Sequence, residues 1–219
     1  MAAALLATPR AEATLARAVD FDTKVADSQS IILGEVVQTE SRFDSSHRWI
    51  LTYSTFKVER ALKGQPMQQL TLVTPGGRVG DLYQATVGIP MFQKGDENVV
   101  FVKGSSAGPT VAYFDQGTYT VTKEGNQRMV TPVLSSAVIV DDQRGMAVAP
   151  EAARTLEQFE SDVHRAERAA LQRMEIMRER ERQQQATGTS LSSIILRNKA
   201  LIALAIIGAL LATWQFLRR

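Results

Sequence analysis

Two stretches of the chain, SIILGEVVQTE at residues 30–40 and WILTYSTFKVE at residues 49–59, decide the fold class. The first is rich in β-branched residues, which favour extended backbone. The second alternates along its length, so that Ile50, Phe56 and Val58 fall on one face of a strand. Both patterns are typical of β-strands with at least one buried face.

Short apolar runs continue this pattern to residue 140. In chain order they are QQLTLVT, LYQATVG, NVVFVKG, TVAYF, GTYTVTK, RMVTPVL and AVIVDD. Turn residues such as Gly, Pro, Asn and Asp separate the runs, and no helical pattern lies between them. The sequence therefore predicts a mainly β domain over residues 25–148, an antiparallel barrel or sandwich rather than a parallel α/β sheet.

After Ala149 the apolar period changes to that of a helix. Leu156, Phe159, Val163 and Ala166 recur at spacings of three and four residues. Pro150 is tolerated in a first helical turn, so we predict a helical stalk over residues 150–185. Its apolar side has two candidate partners, the β domain or a second helix in a short coiled coil.

The C-terminal stretch ALIALAIIGALLATWQFL, residues 200–217, carries no charge and precedes a basic tail at residues 218–219. As a helix of about 18 residues it would span roughly 27 Å, which is the thickness of a bilayer core. We predict a single-pass transmembrane helix here, joined to the stalk by a linker at residues 186–199. A buried C-terminal helix is the alternative, and small residues spaced by four allow self-association through the transmembrane helix or the stalk.

The N-terminal segment, residues 1–24, has features of a truncated signal peptide. It contains a short apolar run and an A-x-A arrangement at Ala11–Ala13, but no basic start. The alternative is an amphipathic helix through Leu15 and Val19.

Charge and cysteine content exclude several classes of protein. The chain has 25 basic and 23 acidic residues, and residues 1–149 hold 14 basic and 15 acidic ones, so the body is neutral. A neutral body argues against nucleic-acid binding. Because the chain contains no cysteine, it has no disulfide, thiolate zinc site, iron–sulfur cluster or cysteine nucleophile.

No motif in the chain indicates catalysis, a cofactor or a metal. The two histidines, His47 and His164, are isolated in a polar turn and a charged helix. Asp141 and Asp142 suit a strand-ending turn better than a metal site. The glycines of residues 76–80 suit turns better than a phosphate loop, because no Lys-Ser/Thr pair follows them. We expect no catalytic, cofactor-binding or metal residues, and a protein that is not an enzyme.

Several aromatic side chains have two readings, as stacking residues on an open sheet face or as core. They are Trp49, Tyr53, Tyr83, Phe92 and Tyr113. The neutral body disfavours nucleic-acid stacking, so core packing is the expectation for most of them.

A series of phrases over residues 25–134 resembles a group of secreted bacterial domains related to the netrin-like fold, the OB-type barrel of tissue inhibitors of metalloproteinases. In chain order these are IILGEVV after Asp27, TYSTFKVERALKG from Thr52, TPGG from Thr74, VGIPMF from Val87, KGDENVVFV from Lys94 and DQGTY from Asp115. The resemblance implies an OB/netrin-like barrel and an exported location. The animal inhibitors chelate zinc through an N-terminal cysteine, which this chain lacks. Some bacterial relatives accompany secreted metalloproteases.

Taken together, these features predict a non-catalytic binding or adaptor domain in the bacterial envelope. It would be held in the cell membrane by residues 200–217, with the β domain on the extracytoplasmic side. We expect it to bind a protein, with a secreted protease as one candidate, through loops near residues 42–48, 75–82 and 104–109. The alternatives are a tail-anchored protein facing the cytosol and a surface-sorted protein whose C-terminal segment is processed.

Overall fold

A computed structural model of the protein describes residues 14–185, which form mainly antiparallel β-sheets followed by a long helix. The strands are β1 (Leu15–Arg17), β2 (Ser30–Phe43), β3 (Ile50–Lys63), β4 (Gln69–Pro75), β5 (Gly77–Val79), β6 (Leu82–Gln84), β7 (Glu97–Ser105), β8 (Gly108–Val111), β9 (Thr118–Glu124), β10 (Gln127–Pro132), β11 (Val138–Asp141), β12 (Met146–Ala147) and β13 (Arg154–Thr155). The helices are α1 (Phe21–Asp27), a 3₁₀ turn (Phe114–Gly117) and α2, which covers residues 156–185.

The main sheet has the strand order β13-β10-β9-β7-β2-β3-β4, with β8 paired to the end of β7. Its ladders are antiparallel, and the long β2–β3 hairpin carries register shifts that are typical of β-bulges. A small sheet has the order β1-β11-β12, in which β1 and β11 run parallel. The β5–β6 hairpin forms a third, two-stranded sheet.

Both faces of the central strands are buried, which explains their near-continuous apolar sequences. On one face, Ile31 and Leu33 of β2 pack with Phe101 of β7, α1 and the start of α2. On the other face, Ile32 packs with Phe56 of β3 and with Phe92 of the loop before β7. Residues of β4 and β8 complete this second core cluster. The alternation expected for β3 is confirmed, because Ile50, Phe56 and Val58 are all buried.

The apolar side of α2 packs on the sheet, which is the first of its two expected partners. Leu156, Phe159, Val163 and Ala166 all belong to the core cluster on that face. The helix begins at residue 156, six residues later than predicted, because Thr155 caps it. The Thr155 side chain accepts a hydrogen bond from the Gln158 amide, and Gln158 Oε1 accepts one from the Thr155 amide. This arrangement is a capping box. Residues 154–155 form β13, which pairs with β10.

The chain divides into two compact units after Ala170. In the second unit the structure describes residues 171–185, which are helical and rich in charge. Leu171, Met174, Ile176 and Met177 are about half exposed there.

The expectation of a closed barrel is wrong for the described residues. β4 lies beside β8, yet no ladder joins them within residues 14–185, so the main sheet stays open. β8 has four residues, and Pro109 among them has no N–H to donate to a neighbouring strand. Short strands and proline are the usual means by which proteins protect the edge of a sheet.

Two predicted strands end early, and the alternative reading of the N-terminus is wrong. The run LYQATVG is a strand only to Gln84, and TVAYF is a strand only to Val111. Residues 15–17 form β1, so no amphipathic helix passes through Leu15 and Val19. The A-x-A arrangement at residues 11–13 lies outside the described residues.

No helix within residues 14–185 is long and apolar enough to cross a membrane. The predicted linker, transmembrane helix and basic tail, residues 186–219, lie outside the part of the chain that the structure describes. They remain predictions.

Candidate functional site

The tip of the β2–β3 hairpin is organised by one carboxylate. Asp44 Oδ1 accepts hydrogen bonds from the backbone amides of Arg48 and Trp49, at 3.0 and 3.1 Å, and Oδ2 accepts one from Ser46 Oγ at 2.6 Å. The hydrogen bond from Ser46, together with those from the backbone amides, lowers the pKa of Asp44. The turn is therefore a defined structure although it is exposed to solvent.

The β5–β6 hairpin is fastened to the base of this tip. Ile50 donates its amide to Gln84 Oε1 at 2.9 Å, and its carbonyl accepts the amide of Gly76 at 2.8 Å. Gly77 has a φ of 134°, and a Cβ there would lie 2.3 Å from Thr52 Oγ1. Only glycine fits this approach, so the glycines serve packing and turns, as the sequence suggested.

Exposed aromatic and arginine side chains lie on these two hairpins. Trp49, Leu82 and Tyr83 are 54%, 61% and 53% exposed. Arg78 Cζ lies 5.4 Å from the centre of the Tyr83 ring, which is a cation–π contact. We call these four residues the distal surface. The expectation that most of the five named aromatics are core is wrong for Trp49 and Tyr83, because the hairpins extend beyond the covered part of the sheet.

The structure brings together two of the three loops expected to bind a partner. The loops near residues 42–48 and 75–82 meet through the contacts of Ile50 described above. The loop at residues 104–109 lies instead beside Val73 of β4, whose side chain is the nearest neighbour of Gly108. The distal surface thus comes from the first two loops.

A buried polar cluster, which the sequence did not indicate, joins α1 to the segment before α2. Lys24 is 3% exposed, and its Nζ donates to Glu151 Oε1 at 2.5 Å, to Tyr119 Oη at 2.6 Å and to the Gln116 carbonyl at 3.2 Å. Arg154 binds the other oxygen of Glu151 at 2.6 Å. We call these five residues the Lys24 cluster.

The pKa shifts in the Lys24 cluster follow from burial. Burial lowers the pKa of Lys24, and the contact with Glu151 opposes that shift. Burial, followed by the charge of Glu151, raises the pKa of Tyr119. All three protons of the ammonium have acceptors, and the amine has almost no solvent access, so this lysine is suited to holding segments together rather than to reacting. In the sequence, the position of Lys24 beside the apolar residues Phe21 and Val25 could have indicated that this lysine is buried.

A charged groove of about 480 Å³ lies on the sheet, lined by Glu35, Lys57, Glu59, Glu97 and Arg128. Arg128 makes a two-pronged contact with Glu59, at 2.9 and 2.8 Å, and also contacts Glu97. Its hydrogen bonds lower the pKa of Glu59. Because Arg128 pairs with two of the three carboxylates that line the groove, the groove is explained as a surface ion-pair network.

The residues considered for metal binding lie apart. The His47 ring lies near the Phe43 ring in a tilted arrangement, with centroids 5.9 Å apart, and His164 is exposed on α2. Asp141 accepts the amide of Gln143 at 2.8 Å, as a strand-ending turn would require. In the described part of the chain, no three His, Asp or Glu side chains are grouped to hold a metal ion.

Compared with known proteins, the chain matches no family model, no curated protein and no solved structure. The resemblance to netrin-like domains therefore stays a prediction.

Proposed function

We propose that this protein is a non-catalytic binding domain of the bacterial envelope, tethered to the cell membrane and facing the extracytoplasmic side. The tether is the predicted helix at residues 200–217. The netrin-like relationship and a secreted protease as partner belong to the same proposal. They are supported by the order of the sequence phrases within residues 25–134.

The observation that carries the binding proposal is the distal surface. Trp, Tyr and Arg are the residues that most often dominate binding energy at protein interfaces. Here Trp49, Tyr83 and Arg78 stand on hairpins that Asp44 and Gln84 hold by side-chain-to-backbone hydrogen bonds. A surface that is already ordered loses little conformational entropy on binding, which favours affinity.

Site-specific photo-crosslinking in living cells tests the binding proposal. A photoreactive amino acid replaces Tyr83 in the full chain, and the matched control replaces Lys123, which is exposed on the β9–β10 hairpin. We expect a discrete protein adduct from position 83 and none from position 123. Equal adducts from both positions, or none from either, would remove the support for the distal surface.

A topology reporter tests the location separately. A reporter that is active only outside the cytoplasm is fused after Gln185 of a chain supplied with a full export signal. Activity in intact cells is the expected result. A silent reporter would favour the tail-anchored alternative and would contradict the extracytoplasmic proposal.

A further inference from the structure

Charged residues make up 22% of the chain, yet several stretches of more than ten residues contain none, and three of these stretches approach one another in space. They are residues 82–93, 104–114 and 129–140. Each of the three includes strand residues and also a loop that runs over the surface. Depletion of charged residues is typical of the centre of a protein interface.

The three uncharged stretches meet in space through a ring of hydrogen bonds. The Asp115 amide donates to the Gly88 carbonyl at 2.8 Å, the Gly88 amide donates to Ser136 Oγ at 2.8 Å, and the Ser136 amide donates to Asp115 Oδ2 at 3.2 Å. Asp115 itself is 3% exposed. We call residues 85–91, 113–115 and 134–138 the three-loop junction.

Apolar side chains of the three-loop junction are exposed to solvent. Val87, Met91, Phe114, Leu134 and Val138 are 47%, 74%, 55%, 77% and 42% exposed. At Gly88, a Cβ would lie 3.8 Å from the Phe114 Cβ and 3.9 Å from the Ala137 Cβ, so the segments that carry these side chains are in contact. A cluster of this kind marks an interaction surface.

The backbone of the junction is strained at two bulky residues. Tyr113 and Phe114 have φ values of 57° and 58°, in the left-handed region that large side chains rarely adopt. Tyr113 is held there by its hydrogen bond to Asp27 and by packing against the core. Phe114 belongs to neither core cluster, so the stability of the fold does not explain a phenylalanine at this position.

We propose that the three-loop junction is a docking surface for a second copy of this chain, with Phe114 as its central anchor. A two-fold interface brings the same surface of both subunits together, and like charges facing each other across the axis would repel. Asp115 is the one charged residue of the three-loop junction and is only 3% exposed, so two copies can bring their apolar side chains together without opposing charges. Anionic lipid or nucleic acid would instead attract Lys and Arg, which these stretches lack.

This inference goes beyond the proposed function, because it concerns a different surface with a different occupant. The distal surface would bind another protein from the envelope, whereas the three-loop junction would pair two identical domains. Self-association through the stalk or the transmembrane helix, which the sequence also allows, would not depend on Phe114.

Cysteine crosslinking tests the inference directly, because the chain has no cysteine of its own. Full-length Leu134→Cys protein in phosphatidylcholine vesicles is treated with a short bis-maleimide. Leu82→Cys is the control, since Leu82 is similarly exposed at 61% but lies on the distal surface. We expect several-fold more crosslinked dimer from position 134. Equal yields, or no dimer from position 134, would overturn the inference.

A second variant separates the anchor from other routes to a dimer. Phe114→Asn added to Leu134→Cys should abolish crosslinking and raise the melting temperature by about 2–4 °C, since Asn tolerates the left-handed region. His47→Asn is the matched control, because His47 also has a left-handed φ, of 54°, but lies at the β2–β3 tip. It should leave crosslinking unchanged. Dimer that persists with Phe114→Asn would overturn the inference.

Discussion

The Lys24 cluster and the three-loop junction both join segments that are far apart in sequence, but they differ in how well their residues suit their surroundings. Every proton of the Lys24 ammonium has an acceptor, and the surrounding side chains are buried or half-buried. In the junction, the backbone is hydrogen-bonded, yet Phe114 is exposed and strained. The first arrangement is what selection for stability produces, and the second sacrifices stability at one residue.

This difference indicates which of the two regions is the better candidate for function. A buried polar cluster with perturbed pKa values is a common sign of an active site. Here that sign leads to the Lys24 cluster, whose closed geometry suits it to a structural role. The exposed side chains of the junction are uncharged and one of them is strained, and they have no comparable structural explanation.

Removing the Lys24 side chain should have the largest effect on stability. In Lys24→Met, the Glu151 and Tyr119 groups lose their buried cation, and we expect the free energy of unfolding to fall by about 3 kcal/mol. Urea denaturation measures it. Lys123→Met, at an exposed site, is the control and should change the value by less than about 0.5 kcal/mol. A loss as small as that of the control would mean that the cluster does not hold the fold together.

Removing the Asp115 carboxylate should have the next largest effect. Asp115→Ala leaves the Ser136 amide without its acceptor and should lower the free energy of unfolding by about 2 kcal/mol. The crosslinking yield of Leu134→Cys should fall with it, because the junction loosens. Unchanged stability together with unchanged crosslinking would show that the hydrogen-bonded ring does not define the surface.

Tyr113 should give a smaller effect that depends on pH. Burial and the hydrogen bond to Asp27 raise the pKa of Tyr113 to about 12, compared with 10.0 in an unfolded chain. Its stabilising contribution is therefore present below pH 10 and is lost as the pH rises from 10 to 12. Tyr113→Phe should lack this part of the pH dependence in urea titrations. Absorbance of the wild type at alkaline pH should show Tyr113 and Tyr119 both ionising above pH 10, and Tyr113→Phe should remove one of these two ionisations.

The sequence predicted the strands and the helix whose apolar pattern is contained within a few neighbouring residues. The apolar runs of β2 and β7 and the spacing of Leu156, Phe159, Val163 and Ala166 correctly indicated strands and a helix with a buried side. The alternation of β3 also predicted correctly which of its faces is buried. These patterns suffice because a strand or helix shows which face it buries within a few residues.

The remaining features depend on contacts between distant residues. Lys24 and Glu151 are 127 positions apart, so no spacing could reveal their pairing. The predicted strands LYQATVG and TVAYF end early at the three-loop junction, where tertiary contacts override the β propensity of Val87 and Phe114. Such conflicts between local preference and observed structure tend to fall at functional sites. The capping box at Thr155 and Gln158 was readable in the sequence and would have placed the start of α2.

The stability of Phe114→Asn tests most directly the claim that the junction sacrifices stability for interaction. Urea denaturation of the full chain, at a protein concentration low enough to keep it monomeric, compares this variant with the wild type. We expect the free energy of unfolding of Phe114→Asn to be higher by about 1 kcal/mol, because asparagine tolerates the left-handed region better than phenylalanine does. A decrease of that size would contradict the claim, since Phe114 would then be a residue that the fold needs.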